Sequence, residues 1–381
     1  MEASSSPNHF SKGLEGIIAA RTGLSLVDGE KVELSYLGIP IQELIAHSTF
    51  EEVTFLLFFR KLPTASELEK FSKELASLRT IPDEILNFLS EFPRSAHPVA
   101  MLRTMVSALG LFDPQADANS PEANLQKAKR LVAVLPSLVA AFHRIRGRQK
   151  IVHPKKVLSM AENFLLMLHG KSVSAEHVRA LDQYLIMLAD HGLNASTFAA
   201  RVTISTESDI YSAITSALGT LKGDLHGSAN QRAMEMFLKV ARPENAEGYV
   251  KSLFREKKKV MGFGHRIYKR QDPRAPQFRE IAERLTRGGE NGKWFQIAVE
   301  IEKAVEKEKP IPPNVDFYSS IVLYALGIPV DFFTTIFAMS RVAGWTAHVL
   351  EQLEDNRLIR PEAEYTGPVN QSYVPIEKRR S

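Results

Sequence analysis

The sequence of 381 residues contains no cysteine. Disulfide bonds, a catalytic thiolate and metal sites built on cysteine ligands are therefore excluded. Long apolar runs are also missing: none approaches the ~18 residues that a membrane-spanning helix needs. Residues 1–10 form a polar tail without the apolar core of a signal peptide. We therefore expect a cytoplasmic protein without a membrane partner.

A large excess of one charge is missing as well. The 48 Lys and Arg residues nearly balance the 44 Asp and Glu residues, and the formal net charge is +4. So small an excess argues against a nucleic acid partner but suits a small anionic ligand. The content of apolar residues, 44%, is that of an ordinary globular protein. At roughly 150 residues per domain, the length predicts two or three domains.

Strand signals are nearly confined to one place. Residues 24–36 alternate between apolar and polar side chains around Asp28-Gly29, which predicts a β-hairpin. Elsewhere the apolar residues recur with the period of a helix, and about fifteen helices are expected, with no repeat of fixed length. Predicted helix starts include the capping boxes Ser48-x-x-Glu51 and Thr64-x-x-Glu67 and the caps Ser120 and Ser174. The sequence therefore predicts a mainly α fold with a small N-terminal hairpin.

Three short segments combine a His or an Asp with glycines or a turn in a way that packing alone does not require. They are Leu221–Asn230, which contains His226, Val260–Arg274, which contains His265, and Asn314–Ser319, which contains Asp316. Glycine beside a histidine lets a ligand approach the backbone closely. An Asp at a predicted helix start is by default a cap. Occurring in one chain, the three segments indicate a site.

The same two His and one Asp are also residue types that bind a divalent metal. They are separated by 39 and 51 residues, however, and no pair of histidines has the spacing of a local metal-binding motif. A hydrolase with a catalytic serine is disfavoured too, because no Gly-x-Ser-x-Gly elbow occurs. We therefore predict no metal.

Together with three further motifs, these segments resemble the citrate synthase family in its shorter bacterial and archaeal form. The further motifs are Ala189–Phe198, Ile336–Trp345 and Asn356–Pro361, and the resemblance runs from about Gly13 to the end of the chain. It implies a large helical domain, residues 1–228 and 328–381, that forms a dimer and holds oxaloacetate. A small helical domain, residues 229–327, is expected to close over it and to bind CoA.

The resemblance also implies a reaction: the condensation of acetyl-CoA with oxaloacetate and water to citrate and CoA, the first step of the tricarboxylic acid cycle. In that reaction Asp316 would be the general base that removes a proton from the acetyl methyl group. His226 would donate a hydrogen bond to the thioester oxygen, and His265 would polarise the ketone of oxaloacetate. CoA enters as a substrate and leaves as a product, so no permanently bound cofactor is expected.

Binding residues follow from the same resemblance. Those for oxaloacetate are His191, Arg274, Arg341 and Arg360, and guanidinium groups suit its two carboxylates. Those for CoA are Lys259, Val260, Met261, Gly262, Phe263, Gly264 and Lys269. Arg360 is expected to reach the site of the neighbouring subunit. The expected partners are thus the two substrates and further copies of the chain, as a homodimer or a larger oligomer.

The sequence departs from the family pattern at three positions next to the expected catalytic residues. Asp224, Ser228 and Ser320 stand where the family usually has proline, glycine and glycine. The Asp224 carboxylate either favours a protonated His226 or points to solvent. Two other functions remain open. One is the synthesis of 2-methylcitrate from propionyl-CoA, which uses the same catalytic residues, and the other is a catalytically silent helical scaffold that binds an anionic partner.

Overall fold

The structure is a computed structural model that describes residues 10–289 and 291–379. Within these residues it has sixteen α-helices and three short strands, so the prediction of a mainly α fold is confirmed. The tail expected at the N-terminus lies, up to residue 9, outside the described residues. None of the described helices has the length and apolar character that crossing a bilayer requires.

The three strands form one antiparallel sheet: β1 (Ser25–Asp28), β2 (Glu33–Tyr36) and β3 (Ile39–Pro40). The predicted hairpin is confirmed, but its turn is longer than Asp28-Gly29 alone, because Asp28 faces Glu33 in the register and residues 29–32 connect them. Oδ1 of Asp28 accepts the backbone N–H groups of Glu30 and Lys31, both at 2.9 Å. The turn thus depends on the Asp side chain. Strand β3 escapes a sequence prediction because two residues show no alternation.

The helices up to the first site segment are α1 (Ile41–His47), α2 (Phe50–Phe59), α3 (Ala65–Ser77), α4 (Asp83–Ser90), α5 (Pro98–Leu111), α6 (Pro121–Arg146), α7 (Met160–His169), α8 (Ala175–Leu188), α9 (Ala195–Ser205) and α10 (Ile210–Leu221). Those after it are α11 (Ala229–Val240), α12 (Ala246–Arg255), α13 (Ala275–Thr286), α14 (Gly292–Glu308), α15 (Val315–Ala325) and α16 (Phe333–Glu354). Helices α11 to α15 pack on one another, whereas most of the others surround α16.

Most of the predicted helix caps are confirmed. They are Thr64 with Glu67 on α3, Ser120 on α6 and Ser174 on α8. The prediction of a capping box at Ser48 is wrong by one residue, since Thr49 caps α2. The expected partner in that box, Glu51, is buried and accepts the backbone N–H of Met160 at 2.6 Å. It is therefore not free to fold back onto the helix start.

Helix α16 is the centre of the molecule. Each of its residues from Phe333 to Val349 is buried, because α2, α5, α6, α8, α9 and α10 pack around it. A helix surrounded in this way has no solvated face, so its polar side chains need partners or a cleft. Arg341 and Trp345 are two such side chains, about one helical turn apart.

Aromatic packing holds the group of helices α11 to α15 together. Phe317 of α15 contacts Phe237 of α11 and Phe263, with ring centroids 5.0 and 4.6 Å apart. Phe263 lies in the connection between α12 and α13, and backbone hydrogen bonds join this connection to the residues before α15. The packing therefore brings the segment Val260–Arg274 beside the start of α15.

Candidate active site

Helix α16 and the connections around it bring most of the expected site residues together. His191 follows α8, His226 follows α10, His265 and Arg274 follow α12, Asp316 is in the first turn of α15, and Arg341 is in the middle of α16. The rings of His191 and His265 lie 5.4 Å apart, centroid to centroid, although the residues are distant in sequence. The charge of Arg341 acts on His191, His226 and Asp316. The charge of Arg274 acts on His191, His265 and Asp316. Packing of the two helix groups therefore gathers these side chains at one place, the cleft.

His265 is held by the backbone that follows it. Its Nδ1 accepts the N–H groups of Ile267 and Tyr268, at 3.1 and 3.2 Å. In the neutral ring the proton is therefore on Nε2, which is left to donate to a ligand. Burial, together with the charge of Arg274, lowers the pKa of His265 to about 4. The ring is thus neutral near pH 7 and is a hydrogen-bond donor rather than a cation.

His191 is buried deeper in the same cleft. Its Nε2 lies 3.3 Å from the hydroxyl oxygen of Tyr268, and this hydroxyl donates to the backbone carbonyl of Glu33 at 3.2 Å. The tyrosine oxygen is then an acceptor for the Nε2–H of His191. Burial, Arg274 and Arg341 hold the pKa of His191 well below its usual range. Tyr268 thus links His191 and His265 to strand β2.

His226 lies in the short connection between α10 and α11. A Cβ at the next residue, Gly227, would lie 2.2 Å from the carbonyl oxygen of Leu221, so only glycine fits the sharp turn that presents the histidine. Nε2 of His226 is 2.7 Å from Oγ of Ser196 and 3.3 Å from the backbone nitrogen of the same residue. Burial, assisted by Arg341, lowers the pKa of His226 to about 4. This ring is neutral as well.

Asp316 is not the cap of α15. That role belongs to Asn314, whose Oδ1 accepts the backbone N–H of Asp316 at 2.9 Å. Among the described residues, the Asp316 carboxylate makes no hydrogen bond or ion pair. Burial, with a contribution from Asp272, raises its pKa to about 7, although Arg274 and Arg341 act in the opposite direction. A carboxylate with a pKa near the working pH is well placed to accept a proton.

Two buried guanidinium groups provide the positive charge of the cleft. Arg274 donates from Nε and Nη2 to the two carboxylate oxygens of Asp272, at 2.9 and 2.8 Å. Asp272 also accepts the backbone N–H of Val315 at 3.2 Å, which ties this ion pair to the start of α15. Arg341 donates from Nε to the carbonyl of Leu188 at 2.7 Å, and burial lowers its pKa to about 10. Both groups stay charged near pH 7.

The segment expected to bind CoA is fastened to the chain that leads to Asp316. Gly264 donates its N–H to the carbonyl of Pro312 at 3.1 Å, and Asn314 donates to the carbonyls of Gly262 and Gly264, both at 2.8 Å. Both glycines have positive φ, 80° and 76°, and a Cβ at Gly262 would lie 2.8 Å from Phe317. The loop therefore needs glycine at Gly262 for two reasons.

The other residues expected at the CoA site differ in exposure. Lys259 and Lys269 are exposed, and Met261 and Phe263 are half-buried. Nζ of Lys269 donates to the carbonyl of Arg266 at 2.9 Å. Val260 is buried in the hydrophobic core, so its side chain supports the loop from behind.

Arg360 is the remaining expected site residue. It is exposed in the segment after α16, and the described part of the chain gives it no hydrogen bond or ion pair. Apolar side chains of the same segment are exposed too, among them Leu358 at 55% and Tyr373 at 81%. The described part of the chain therefore shows no link between Arg360 and the other expected site residues.

The three departures from the family pattern are all accommodated locally. Asp224 points away from His226 and forms an ion pair with Arg232, whose Nη2 lies 3.1 Å from both carboxylate oxygens. Of the two alternatives for Asp224, the structure therefore supports the one in which its carboxylate points to solvent. Ser228 has φ −87° and ψ 1°, which any residue adopts. Oγ of Ser320 is buried and donates to the carbonyl of Phe317 at 2.7 Å.

Several side chains that were not predicted from the sequence also shape the cleft. Ser196 contacts His226, Tyr268 contacts His191, and Asp272 pairs with Arg274. Each lies inside one of the motifs quoted above, and its polar side chain within that motif is the signal that could have identified it. Trp345, which donates to Ser196 at 3.0 Å, also belongs to a recognised motif. Within residues 10–289 and 291–379, no group of three or more His, Asp or Glu side chains is arranged to hold a metal ion.

Neutral histidine donors, a carboxylate with a near-neutral pKa and two buried guanidinium groups define an enzyme that binds a small anion and moves a proton beside it. The family model described as "Citrate synthase, C-terminal domain" matches residues 13–362. The chain therefore belongs to the citrate synthase family. The predictions of family and of enzyme class are confirmed.

Individual relatives agree with this assignment. Citrate synthase 2 of Bacillus subtilis is 48% identical over 97% of this chain and 99% of its own length. 2-Methylcitrate synthase 1 of Corynebacterium glutamicum is 39% identical over 98% of this chain and 100% of its own length. The solved citrate synthase of Thermoplasma acidophilum, in a ternary complex with carboxymethyl coenzyme A and oxaloacetate, superposes with a TM-score of 0.93 at 36% identity, covering 97% of this chain and 100% of that one.

Proposed function

We propose that this chain condenses acetyl-CoA with oxaloacetate and water to give citrate and CoA. The observation that carries the proposal is the Asp316 carboxylate, which has no partner within the described residues and a pKa near 7. The charges of Arg274 and Arg341 act on this carboxylate, and the same charges act on the neutral rings of His265 and His226. A base of this kind, beside donors that stay neutral, is what enolisation of a thioester requires.

In the proposed reaction, Asp316 accepts a proton from the methyl group of acetyl-CoA. His226 donates a hydrogen bond to the thioester oxygen as the enol forms, and a neutral ring suits this role. The enol carbon then bonds to the ketone carbon of oxaloacetate, whose oxygen takes up a proton with the help of Nε2–H of His265. Water finally hydrolyses the citryl thioester, which releases CoA and citrate.

The proposal assigns oxaloacetate to the guanidinium pair. Arg274 and Arg341 face its two carboxylates, and His191 adds a neutral contact. The relative of known structure from Thermoplasma acidophilum, which was solved with oxaloacetate and carboxymethyl coenzyme A, supports oxaloacetate and an acyl-CoA as the ligands. CoA would lie along residues 259–264, with Lys269 near a phosphate.

The assembly is part of the same proposal. Residues 229–327 form the small domain that closes over the remainder of the chain, and closure excludes water from the reacting atoms. The active species is a cytoplasmic homodimer or a larger oligomer, in which Arg360 of one subunit contacts the oxaloacetate of the other. The exposed position of Arg360, and of the apolar side chains around it, supports this part of the proposal.

A second candidate is 2-methylcitrate synthesis from propionyl-CoA. It is favoured by the relative from Corynebacterium glutamicum, at 39% identity, although the citrate synthase from Bacillus subtilis is more similar, at 48%. One extra methylene changes discrimination by only about 1–3 kcal/mol. Measurable use of both thioesters is therefore expected, with acetyl-CoA preferred.

Thiol release measured with each thioester tests these alternatives. We expect CoA release that requires oxaloacetate and is faster with acetyl-CoA than with propionyl-CoA. A higher kcat/KM for propionyl-CoA would assign the second candidate instead. No oxaloacetate-dependent release with either thioester would contradict both and favour a silent scaffold.

A further inference from the structure

Trp345 is linked to His226 through the side chain of Ser196. It is fully buried, and its Nε1–H donates to Oγ of Ser196 at 3.0 Å. Oγ of Ser196, also fully buried, is 2.7 Å from Nε2 of His226. Three side chains from α16, α9 and the connection after α10 thus form a continuous chain of hydrogen bonds from the core to the cleft.

The direction of each hydrogen bond in the series Trp345–Ser196–His226 follows from which atoms carry hydrogens. An indole N–H only donates, so it occupies a lone pair of the Ser196 hydroxyl and leaves its hydrogen for another acceptor. Two acceptors are near: Nε2 of His226 at 2.7 Å and Oδ1 of Asn194 at 2.8 Å. Oδ1 of Asn194 already accepts the backbone N–H of Thr197 at 3.1 Å. The backbone N–H of Ser196 points at Nε2 of His226 at 3.3 Å, which requires this nitrogen to be an acceptor.

With Nε2 of His226 as the acceptor, every hydrogen bond of the chain runs outward from Trp345. The proton of the neutral ring is then on Nδ1, the nitrogen left to face a ligand. A hydroxyl that accepts one hydrogen bond becomes a better donor in the next. The indole N–H therefore strengthens the contact that holds His226 as an Nδ1–H donor.

We propose that Trp345 is a positioning residue for enolisation, because its N–H polarises the Ser196 hydroxyl and so strengthens the contact that holds His226 with Nδ1–H towards the thioester oxygen. This inference rests on the condensation activity proposed above. Without the indole N–H, the hydroxyl of Ser196 is a weaker donor to Nε2 of His226, and the backbone N–H of Ser196 is the other contact that holds this nitrogen. The ring is then held less firmly, and its Nδ1–H stabilises the developing charge less well.

The test is a double-mutant cycle on kcat with the substitutions Trp345→Phe and Ser196→Ala. Trp345→Phe is expected to lower kcat about fivefold to tenfold, the loss of one hydrogen bond, with the KM for oxaloacetate changed by less than about twofold. In the Ser196→Ala background it has no further effect, because the chain is already broken. The matched control is Trp294→Phe, which replaces the other tryptophan, a buried residue of α14. This substitution is expected to leave kcat unchanged.

Additive effects in the cycle, or a loss confined to the KM for oxaloacetate, would overturn the proposal and leave Trp345 a packing residue. A wild-type protein without condensation activity would instead refute the proposed function, and this inference with it.

A second measurement does not depend on Trp345→Phe folding. In the Trp294→Phe protein, Trp345 is the only tryptophan, and adding Ser196→Ala removes the acceptor of its N–H. The emission is expected to shift to shorter wavelength. Unchanged emission would contradict the hydrogen bond on which the proposal depends.

Discussion

Replacing Asp316 by asparagine is expected to abolish turnover and, at the same time, to stabilise the folded protein. The pKa of this carboxyl is raised from 3.8 to about 7 by burial. Between these two pH values the folded protein binds a proton that the unfolded chain has lost. Stability therefore falls as the pH rises through this window, and the loss is complete above about pH 7. Asparagine does not ionise and avoids the loss.

The size of the effect follows from the shift in pKa. About three pH units, at roughly 1.4 kcal/mol per unit, correspond to on the order of 4 kcal/mol. Asp316 lies at the cleft and keeps some contact with water, which screens the charge, so we expect about half of this, ~2 kcal/mol. The same substitution removes the proposed base, and turnover should fall by about 10²–10⁴.

Unfolding by urea, followed for both proteins from about pH 5 to about pH 8, measures the difference in stability. Asp272→Asn is the matched control in the same cleft. Burial alone would raise the pKa of Asp272, but its ion pair with Arg274 keeps the pKa below the ordinary value, so this substitution should destabilise the protein. If Asp316→Asn is no more stable than the wild type at the upper end of this pH range, the ionised Asp316 carboxylate does not destabilise the folded protein, and the argument from its raised pKa is contradicted. Near-normal turnover in the folded variant would refute Asp316 as the base.

Other substitutions test the charges around the cleft. Asp224→Asn should leave the acidic limb of the pH–rate profile unchanged, because this carboxylate pairs with Arg232 rather than with His226; a displaced limb would contradict that geometry. Arg341→Lys should raise the KM for oxaloacetate by about tenfold or more, since lysine lacks the bidentate fork, and an unchanged KM would remove Arg341 from the binding site. Arg360→Ala and His226→Ala chains, mixed under conditions of confirmed subunit exchange, should regain activity, because one site of the mixed dimer has both residues intact. Persistent inactivity would place Arg360 in its own subunit's site.

Local chemistry explains what the sequence predicts well. The hairpin depends on Asp28, whose side chain organises its own turn, and the cap of α3 depends on Thr64 and a glutamate three residues later. Gly227 marks a position where a side chain would clash with the backbone carbonyl of the nearby Leu221. Such features involve residues that are close in sequence, so a pattern of a few letters contains the whole interaction.

Features that depend on the packing of the folded chain could not be predicted from the sequence. The prediction of a capping box at Ser48 is wrong because Glu51 is buried, where it accepts a hydrogen bond from the backbone N–H of Met160. Asp224 pairs with Arg232, which is in the first turn of α11. The spacing in the sequence does not indicate whether Asp224 interacts with Arg232 or with His226. The raised pKa of Asp316 arises from burial between two groups of helices. Glu51 and Asp316 require the three-dimensional arrangement, because the deciding partner is far along the chain or the deciding factor is exclusion of water. Asp224 requires it because two possible partners lie within 8 residues and the fold decides between them.

The most direct test of the account is to identify the product made from acetyl-CoA labelled with ¹³C in the methyl group. With oxaloacetate present, we expect citrate that carries the label in a methylene carbon, formed together with one equivalent of free CoA. The Asp316→Asn protein should make none at the same enzyme concentration. Release of CoA that does not require oxaloacetate, or labelled acetate in place of labelled citrate, would contradict the proposed condensation.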